Sequence, residues 1–194
     1  MTMYVAMGDS FTAGVDPSVP RWPDELARSL GGRYVNLAEV GATSEHVERD
    51  QLAEALELSP EVVTLVCGAN DVLLDTRPDV DAYAKRLSRM FARLRRELPD
   101  VMIMTATYPD ISRFLDLRPR SRSRVERGMR RFNEACRAVA NRHHVVLLEG
   151  FDHPATSERA TFAADGFHPS AEGHRQAARE FLRVLRNRFR PSTA

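Results

Sequence analysis

The chain has 194 residues, which corresponds to roughly one domain and is long enough to bury a hydrophobic core without disulfides or metals. Its 28 basic and 27 acidic residues give a net charge of +1, which argues against a general nucleic-acid or membrane-surface binder. The two cysteines lie far apart and no apolar run approaches the roughly 20 residues that cross a bilayer, which argues against a disulfide framework, a zinc ribbon and integral membrane contact. Because the opening residues lack the pattern of a secretory signal, we expect a cytoplasmic protein with a single domain over residues 1–194.

The pattern of apolar residues predicts strands and helices that alternate along the chain. In chain order, it predicts a strand at Met3–Met7, a helix at Trp22–Leu30, a strand at Tyr34–Leu37, a helix at 45–58, a strand at Glu61–Val66, a helix at 80–98, a strand at Val101–Ala106, a helix at Arg124–His143, a strand at Val145–Leu148 and a helix at Ala171–Arg188. Runs that are apolar nearly throughout are typical of strands buried on both faces. The alternation therefore predicts an α/β fold with a five-stranded parallel sheet between two layers of helices.

Two long segments interrupt this alternation, at Thr107–Ser123 and Glu149–Ser170. Loops of this length in a compact domain are usually functional or mobile. Both segments leave predicted strands at the carboxyl edge of the sheet, where doubly wound α/β proteins bind their ligands. We therefore expect the functional residues in the loops that follow the strands.

Ser10 follows the first predicted strand directly, within Gly8-Asp9-Ser10-Phe11-Thr12-Ala13-Gly14. In a turn between a strand and a helix, its hydroxyl would be exposed and its backbone N–H would point into the cleft. A nucleophile that also contributes to an oxyanion hole requires both properties. The alternative is a turn serine that only caps a helix.

Asp165 and His168 are three residues apart, in Asp165-Gly166-Phe167-His168-Pro169, just before the last predicted helix. A carboxylate at this spacing can accept a hydrogen bond from the imidazole. Such a bond fixes the tautomer of the ring and stabilises the imidazolium that forms when the serine proton arrives. The alternative is a surface pair near a helix N-terminus.

Two further positions could donate hydrogen bonds to an oxyanion. Asn70, in Gly68-Ala69-Asn70-Asp71, follows the most apolar strand and carries a side-chain amide. Gly41, in Val40-Gly41-Ala42-Thr43, could place a backbone N–H beside the same oxygen. Both could instead belong to ordinary turns, an Asx-turn at Asn70 and a glycine turn at Gly41.

The order of these four motifs resembles the SGNH hydrolases, also called the GDSL esterase and lipase superfamily, from Gly8 to His168. The resemblance implies a flavodoxin-like three-layer α/β/α sandwich whose parallel sheet has the strand order 2-1-3-4-5. It also implies a role for each motif residue: Ser10 as nucleophile and first oxyanion donor, Gly41 and Asn70 as the other donors, His168 as base and Asp165 as its orienting carboxylate. Asn36 fits the lead-in to the second motif, and we expect Asp9 and Asp71 to brace the loops as hydrogen-bond acceptors.

The activity implied by this resemblance is hydrolysis of a carboxylic ester through an acyl-serine, without a metal or an organic cofactor. The expected partner is a small-molecule or carbohydrate acyl ester, as for a deacetylase, and not a nucleic acid. Two alternatives stay open, a thioesterase or lysophospholipase on acyl-CoA or lipid substrates and a non-catalytic ligand-binding module. Aromatic residues near the motifs are expected to shape the substrate pocket: Phe11, Tyr108, Phe114, Phe151, Phe162 and Phe167.

Arginine is heavily favoured over lysine, since Lys85 is the only lysine. The one local concentration contains six arginines, at positions 113, 118, 120, 122, 124 and 127. It could be a recognition loop for an anionic group such as a phosphate, a carboxylate or a carrier pantetheine. The alternative, which we favour, is a solvated and mobile lid. His143, His144 and His174 lack the spacing of metal ligands, and we expect them to be solvated or to complement helix dipoles.

Overall fold

One parallel sheet forms the centre of the computed structural model, which describes residues 2–150 and 153–188. Its strands are β1 (Met3–Gly8), β2 (Arg33–Asn36), β3 (Val62–Val66), β4 (Met102–Ala106) and β5 (Val146–Leu148). Hydrogen bonding arranges them in the order β2-β1-β3-β4-β5, with every neighbouring pair parallel. The predicted sheet and its strand order are therefore confirmed.

The two central strands explain where the functional loops meet. Every residue of β1 and of β3 is buried, as expected for apolar strands covered on both faces. Their register pairs Tyr4 with Val62 and Gly8 with Val66, so both strands end at the same level of the sheet edge. The loops that contain Ser10 and Asn70 consequently start side by side.

The helices form two layers. They are α1 (Ser10–Ala13), α2 (Trp22–Leu30), α3 (Ser44–His46), α4 (Leu52–Glu57), α5 (Ala69–Leu73), α6 (Val80–Glu97), α7 (Pro119–Arg142) and α8 (Ala171–Arg188). Right-handed crossovers place α2 on one face and α4, α6 and α7 on the other, because the chain moves from β1 to β2 in the direction opposite to its later steps. Accordingly α2 packs against α8, where the rings of Trp22 and Phe181 stack at 4.4 Å, and α6 packs against α7.

Three helical features differ from the prediction. Helix α7 begins at Pro119 and not at Arg124, because proline is favoured in a first helical turn and the apolar periodicity starts only at the buried Val125. The predicted helix at 45–58 consists of α3, a π-helical turn at Val47–Gln51 and α4. The short helices α1 and α5 fall within predicted loops. Within the described ranges, no helix is long and apolar enough to cross a membrane.

Candidate active site

The turn after β1 holds Ser10 at the start of α1. Gly8 has φ +148°, and a Cβ at this position would lie 2.1 Å from the carbonyl oxygen of Val66, so only glycine allows β1 and β3 to approach this closely. Asp9 is the N-cap of α1, since its Oδ1 accepts a hydrogen bond from the backbone N–H of Phe11 at 3.0 Å. As the first residue of α1, Ser10 has no intrahelical acceptor for its own N–H, which is therefore available to a bound oxygen.

Ser10, His168 and Asp165 form a continuous hydrogen-bonded chain. Ser10 Oγ lies 3.0 Å from His168 Nε2, although the two residues are 158 positions apart in the sequence. His168 Nδ1 lies 2.6 Å from Asp165 Oδ2. The other carboxylate oxygen of Asp165 accepts hydrogen bonds from the backbone N–H groups of Phe167 at 2.8 Å and His168 at 3.0 Å.

The electrostatics of Asp165 follow from these bonds. Partial burial by itself would raise its pKa, but the hydrogen bonds from the His168 ring and from the two backbone N–H groups outweigh that effect and lower the pKa below its ordinary value. The carboxyl group is therefore ionised at neutral pH. An ionised carboxylate on Nδ1 favours the tautomer in which Nε2 is unprotonated and can accept the proton of the Ser10 hydroxyl.

Hydrogen bonds join the loops after β2 and β3 to each other, beside the hydrogen-bonded residues Ser10, His168 and Asp165. The side-chain amide of Asn70 donates to the carbonyl oxygen of Ala42 at 3.0 Å and has a second N–H for another acceptor. The Asp71 carboxylate accepts from the backbone N–H of Ser44 at 2.8 Å and from its hydroxyl at 2.5 Å. Gly41 lies in the same loop, exposed and with φ +84°. The predicted bracing role of Asp71 is thus visible in its contacts.

Asp9 is also a hydrogen-bond acceptor, but in a fully buried position. Its Oδ2 accepts from the hydroxyl of Tyr108 at 2.6 Å. Burial raises the pKa of Asp9 to about 7, while the hydrogen bonds from Tyr108 and from the N–H of Phe11 act in the opposite direction. Tyr108, which we expected near the substrate, is buried and directs its hydroxyl to Asp9.

The aromatic residues expected to shape the pocket fall into two groups. Phe11 packs edge-on against Tyr108 and Phe167, with ring centroids 5.0 Å and 5.2 Å apart, directly beside Ser10 and His168. Phe114 packs against Phe162 at 5.1 Å in a second group. A cavity of about 120 Å³ next to the site is lined by members of both groups together with Trp22, Pro169 and Phe181. Phe151 lies outside the described residues.

Two of the six clustered arginines, Arg122 and Arg124, donate hydrogen bonds to backbone carbonyls of nearby loops. Arg122 donates to the backbone carbonyls of Ser112 at 2.6 Å, Arg113 at 3.1 Å and Leu115 at 2.9 Å. Arg124 donates to the carbonyls of Val72 at 2.9 Å and Asp75 at 2.6 Å. These bonds give both guanidinium groups a structural role, since they hold the loops after β3 and β4, while the mobile lid and the anion-recognition hypothesis both stay predictions.

The expectation that His174 is solvated is wrong. The residue is buried in α8, and its Nδ1 accepts a hydrogen bond from the backbone N–H of Trp22 at 3.4 Å. Burial lowers the pKa of His174 to about 4, so the ring is neutral. His143 pairs with the hydroxyl of Ser88 at 2.7 Å. Across the described ranges, no three His, Cys, Asp or Glu side chains are grouped so that they could hold a metal ion.

Similar folds occur among solved structures. A lipolytic protein of the G-D-S-L family from Desulfitobacterium hafniense DCB-2 is 19% identical with a TM-score of 0.77, over 95% of this chain and 100% of that chain. The lipase/acylhydrolase from Enterococcus faecalis is 23% identical with a TM-score of 0.73, over 100% of both chains. A catalytic mutant of an acetylxylan esterase from Geobacillus stearothermophilus is 20% identical with a TM-score of 0.75, over 95% of this chain and 94% of that chain.

These identities show a shared fold. No curated protein matches the chain. The model of the GDSL-like lipase/acylhydrolase family, in contrast, matches residues 6–176, a range that begins within β1 and ends within α8. This match covers most of the chain and contains all the motifs described above. The chain therefore belongs to the GDSL-like lipase/acylhydrolase family.

Proposed function

We propose that this protein hydrolyses a carboxylic ester through an acyl-serine intermediate, with Ser10 as nucleophile, His168 as general base and Asp165 as the orienting carboxylate. The observation that carries the proposal is the hydrogen-bonded chain itself, with 3.0 Å between Ser10 Oγ and His168 Nε2 and 2.6 Å between His168 Nδ1 and Asp165 Oδ2. These separations lie within the range over which a base accepts the proton of a nucleophile.

In the first half-reaction, Ser10 Oγ attacks the ester carbonyl carbon while its proton passes to His168 Nε2. The carbonyl oxygen becomes an oxyanion, which we place against the backbone N–H groups of Ser10 and Gly41 and the side-chain amide of Asn70. The tetrahedral intermediate then collapses as the bond to the alcohol oxygen breaks. His168 returns its proton to that oxygen, so the alcohol leaves neutral and the acyl group stays on Ser10.

In the second half-reaction, a water molecule replaces the alcohol. His168 Nε2 takes one proton from the water as its oxygen attacks the acyl carbon, and the same three donors hold the second oxyanion. Breakage of the acyl bond to Ser10 Oγ returns the proton from His168 to the serine. The products are the carboxylic acid and the free enzyme, and no proton is gained or lost by the protein.

The substrate class we favour is a short acyl ester of a small molecule or carbohydrate, as for a deacetylase. An acetylxylan esterase is among the proteins with the same fold, which supports this choice. The aromatic side chains of Phe11 and Phe167 beside the chain of catalytic groups would limit the room for the acyl group or the alcohol.

A second candidate is hydrolysis of long-chain thioesters or lipids. Three large hydrophobic side chains are exposed within the part of the chain that the structure describes, Val15 at 43%, Val40 at 62% and Leu74 at 72%. They lie in the loops that follow β1, β2 and β3, at the sheet edge that holds Ser10. Exposed apolar side chains around a cleft favour contact with an apolar chain.

The first experiment tests the nucleophile. Ser10→Ala should lower kcat toward p-nitrophenyl acetate by several orders of magnitude without changing the circular dichroism spectrum, because only one oxygen atom is removed. Ser18→Ala, at an exposed serine in the next loop, is the matched control and should keep full activity. A fluorophosphonate should label the native protein and Ser18→Ala but not Ser10→Ala. Equal activity of Ser10→Ala would refute the mechanism, and a native protein that takes no label would favour a non-catalytic binding module.

The second experiment separates the two substrate classes. Kinetics with acetyl esters, long-chain p-nitrophenyl esters and acyl-CoA should show the highest kcat/KM for the acetyl esters if the favoured proposal holds. Leu74→Asn, at the most exposed of the three apolar positions, should then leave all values unchanged. A preference for long chains that Leu74→Asn weakens would support the second candidate instead.

A further inference from the structure

A buried relay of hydrogen bonds connects helix α7 to the turn that carries Ser10. We propose that Tyr108 is a positioning residue, which holds the nucleophile turn through Asp9, and that Asn133 fixes Tyr108 in turn. The proposal rests on the role of Ser10 proposed above. None of the three residues donates to or accepts from Ser10 Oγ or His168 in the hydrogen bonds of the described chain.

Both carboxylate oxygens of Asp9 accept hydrogen bonds. Oδ1 accepts from the backbone N–H of Phe11 at 3.0 Å, and Oδ2 accepts from the Tyr108 hydroxyl at 2.6 Å. The side chain therefore links the first turn of α1 to the loop that follows β4. Because Asp9 immediately precedes Ser10, the backbone dihedrals of Asp9 decide where the Ser10 side chain points. A contact that fixes the position of Asp9 therefore also restricts the position of Ser10.

Tyr108 is itself held firmly. The side-chain oxygen of Asn133 accepts from the Tyr108 N–H at 2.9 Å, and the Asn133 amide donates to the Tyr108 carbonyl at 2.9 Å. Asn133 is buried in the middle of α7, where asparagine is a poor helix former, so its contacts have to offset an intrinsic cost. Phe11 also packs edge-on against the Tyr108 ring at 5.0 Å. The Asn133 bonds fix the backbone of Tyr108, while the Phe11 ring and Asp9 contact its side chain.

The other side of the turn has a similar clamp. Gln51 is buried at the end of the π-helical turn, and its side chain accepts from the Gly8 N–H at 2.8 Å and donates to the Gly8 carbonyl at 2.9 Å. A π-turn is rare and commonly found at functional sites, and here it brings Gln51 to the end of β1. Gly8 is thus held by a side chain from the π-helical turn, and Asp9 is held by a side chain from the loop after β4. The Gln51 clamp acts on the backbone of Gly8, whereas Tyr108 acts on the side chain of Asp9, which immediately precedes Ser10.

The expected consequence is catalytic and not merely structural. Ser10 Oγ has to stay near 3.0 Å from His168 Nε2 for proton transfer, and small displacements of a reacting group are costly in rate. Tyr108→Phe removes only the hydroxyl and keeps the ring contact with Phe11. Asp9 Oδ2 then loses its donor in a buried site, where an unpaired carboxylate oxygen favours rearrangement.

The test compares Tyr108→Phe with Tyr4→Phe. Tyr4 is a matched control because it is also buried, its hydroxyl bonds to Thr64 at 2.8 Å, and it lies toward the end of β1 away from Ser10. Tyr108→Phe should lower kcat about tenfold or more with KM within twofold, and should slow fluorophosphonate labelling of Ser10 by the same factor. Tyr4→Phe should lower the melting temperature but leave kcat and labelling at wild-type values.

A second variant guards against loss of folding. Asn133→Ala removes the clamp on Tyr108 without changing any atom of the turn, and should also lower kcat at unchanged KM. If Tyr108→Phe does not fold, Asn133→Ala decides the question alone. Wild-type kcat and labelling in the folded variants would overturn the positioning role, as would equal losses in Tyr4→Phe. If Ser10→Ala stays active, the proposed function fails instead, so the two failures are distinguishable.

Discussion

Asp165 holds His168 at two points, because one of its oxygens lies 2.6 Å from ring Nδ1 and the other accepts the backbone N–H of the same residue at 3.0 Å. The carboxylate therefore fixes both the ring and the backbone from which the ring projects. Its side chain is nevertheless 46% exposed, whereas the His168 side chain is 18% exposed. Water can partly solvate this carboxylate, so its contribution rests on orientation more than on burial of charge.

The first prediction concerns this pair. Asp165→Asn should lower kcat by about 10²–10⁴, because an amide can donate to Nδ1 and so stabilise the tautomer in which Nε2 is protonated and cannot accept from Ser10. Exposure of the carboxylate places the expected loss toward the lower end of that range. The measurement is kcat with saturating p-nitrophenyl acetate. Asp16→Asn, at an exposed aspartate that bonds to Ser18, is the control and should be fully active, while a kcat within twofold of wild type for Asp165→Asn would contradict the prediction.

The second prediction concerns the proposed oxyanion donor Asn70. Asn70→Ala should lower kcat by about 10²–10³, equivalent to roughly 2.7–4 kcal/mol of transition-state stabilisation, with a small effect on KM. The same substitution also removes the bond to the Ala42 carbonyl and could loosen the loop after β2. Ser44→Ala separates the two effects, since it removes one bond from that loop to Asp71 and leaves the Asn70 amide in place. Equal losses in both variants would refute the donor role.

The fold was accessible from sequence because its strongest signals are local. The apolar runs of β1 and β3 and the periodicity of α6 predict buried elements without any knowledge of their neighbours. The motif residues follow strand ends, and a parallel sheet brings all such ends to one edge. The pairing of Ser10 with His168 across 158 positions was expected from the resemblance to the SGNH hydrolases, because His168 lies in a long loop and does not directly follow a strand.

The supporting contacts were not accessible in the same way. Gln51 and Asn133 are polar residues within helices, a position in which they are usually solvated, and nothing in the local pattern shows that both are buried and clamp a distant backbone. Arg122 lies among several other arginines in the sequence, and nothing in the local pattern distinguishes it from them. The role of such side chains becomes clear only once the fold is known, because the fold shows which backbone groups they hydrogen-bond.

The third prediction concerns Arg122, whose guanidinium bonds to three carbonyls between residues 112 and 115. Arg122→Gln should speed amide hydrogen exchange in residues 112–117 by at least about tenfold, because hydrogen bonds from a charged donor contribute roughly 1.5–3 kcal/mol. The ratio of KM values for anionic and neutral esters should not change. Arg120→Gln, at an exposed position in the same helical turn, is the control for exchange. An altered KM ratio in Arg122→Gln would support the anion-recognition hypothesis instead.

The fourth prediction concerns pH and His174. Burial lowers its folded-state pKa to about 4, whereas an unfolded histidine titrates near 6.5. Between these values the unfolded chain binds more protons than the folded chain, so His174 makes the protein less stable as pH falls from about 6.5 to 4. His174→Gln cannot titrate, but its side-chain oxygen can accept from the Trp22 N–H as Nδ1 does. Free energies of unfolding in urea, measured from pH 4.5 to 7.5, should therefore fall more steeply with acid for wild type than for the variant, by up to roughly 1.4 kcal/mol per pH unit. Parallel pH profiles for the two proteins would show that His174 is not held neutral in the folded state.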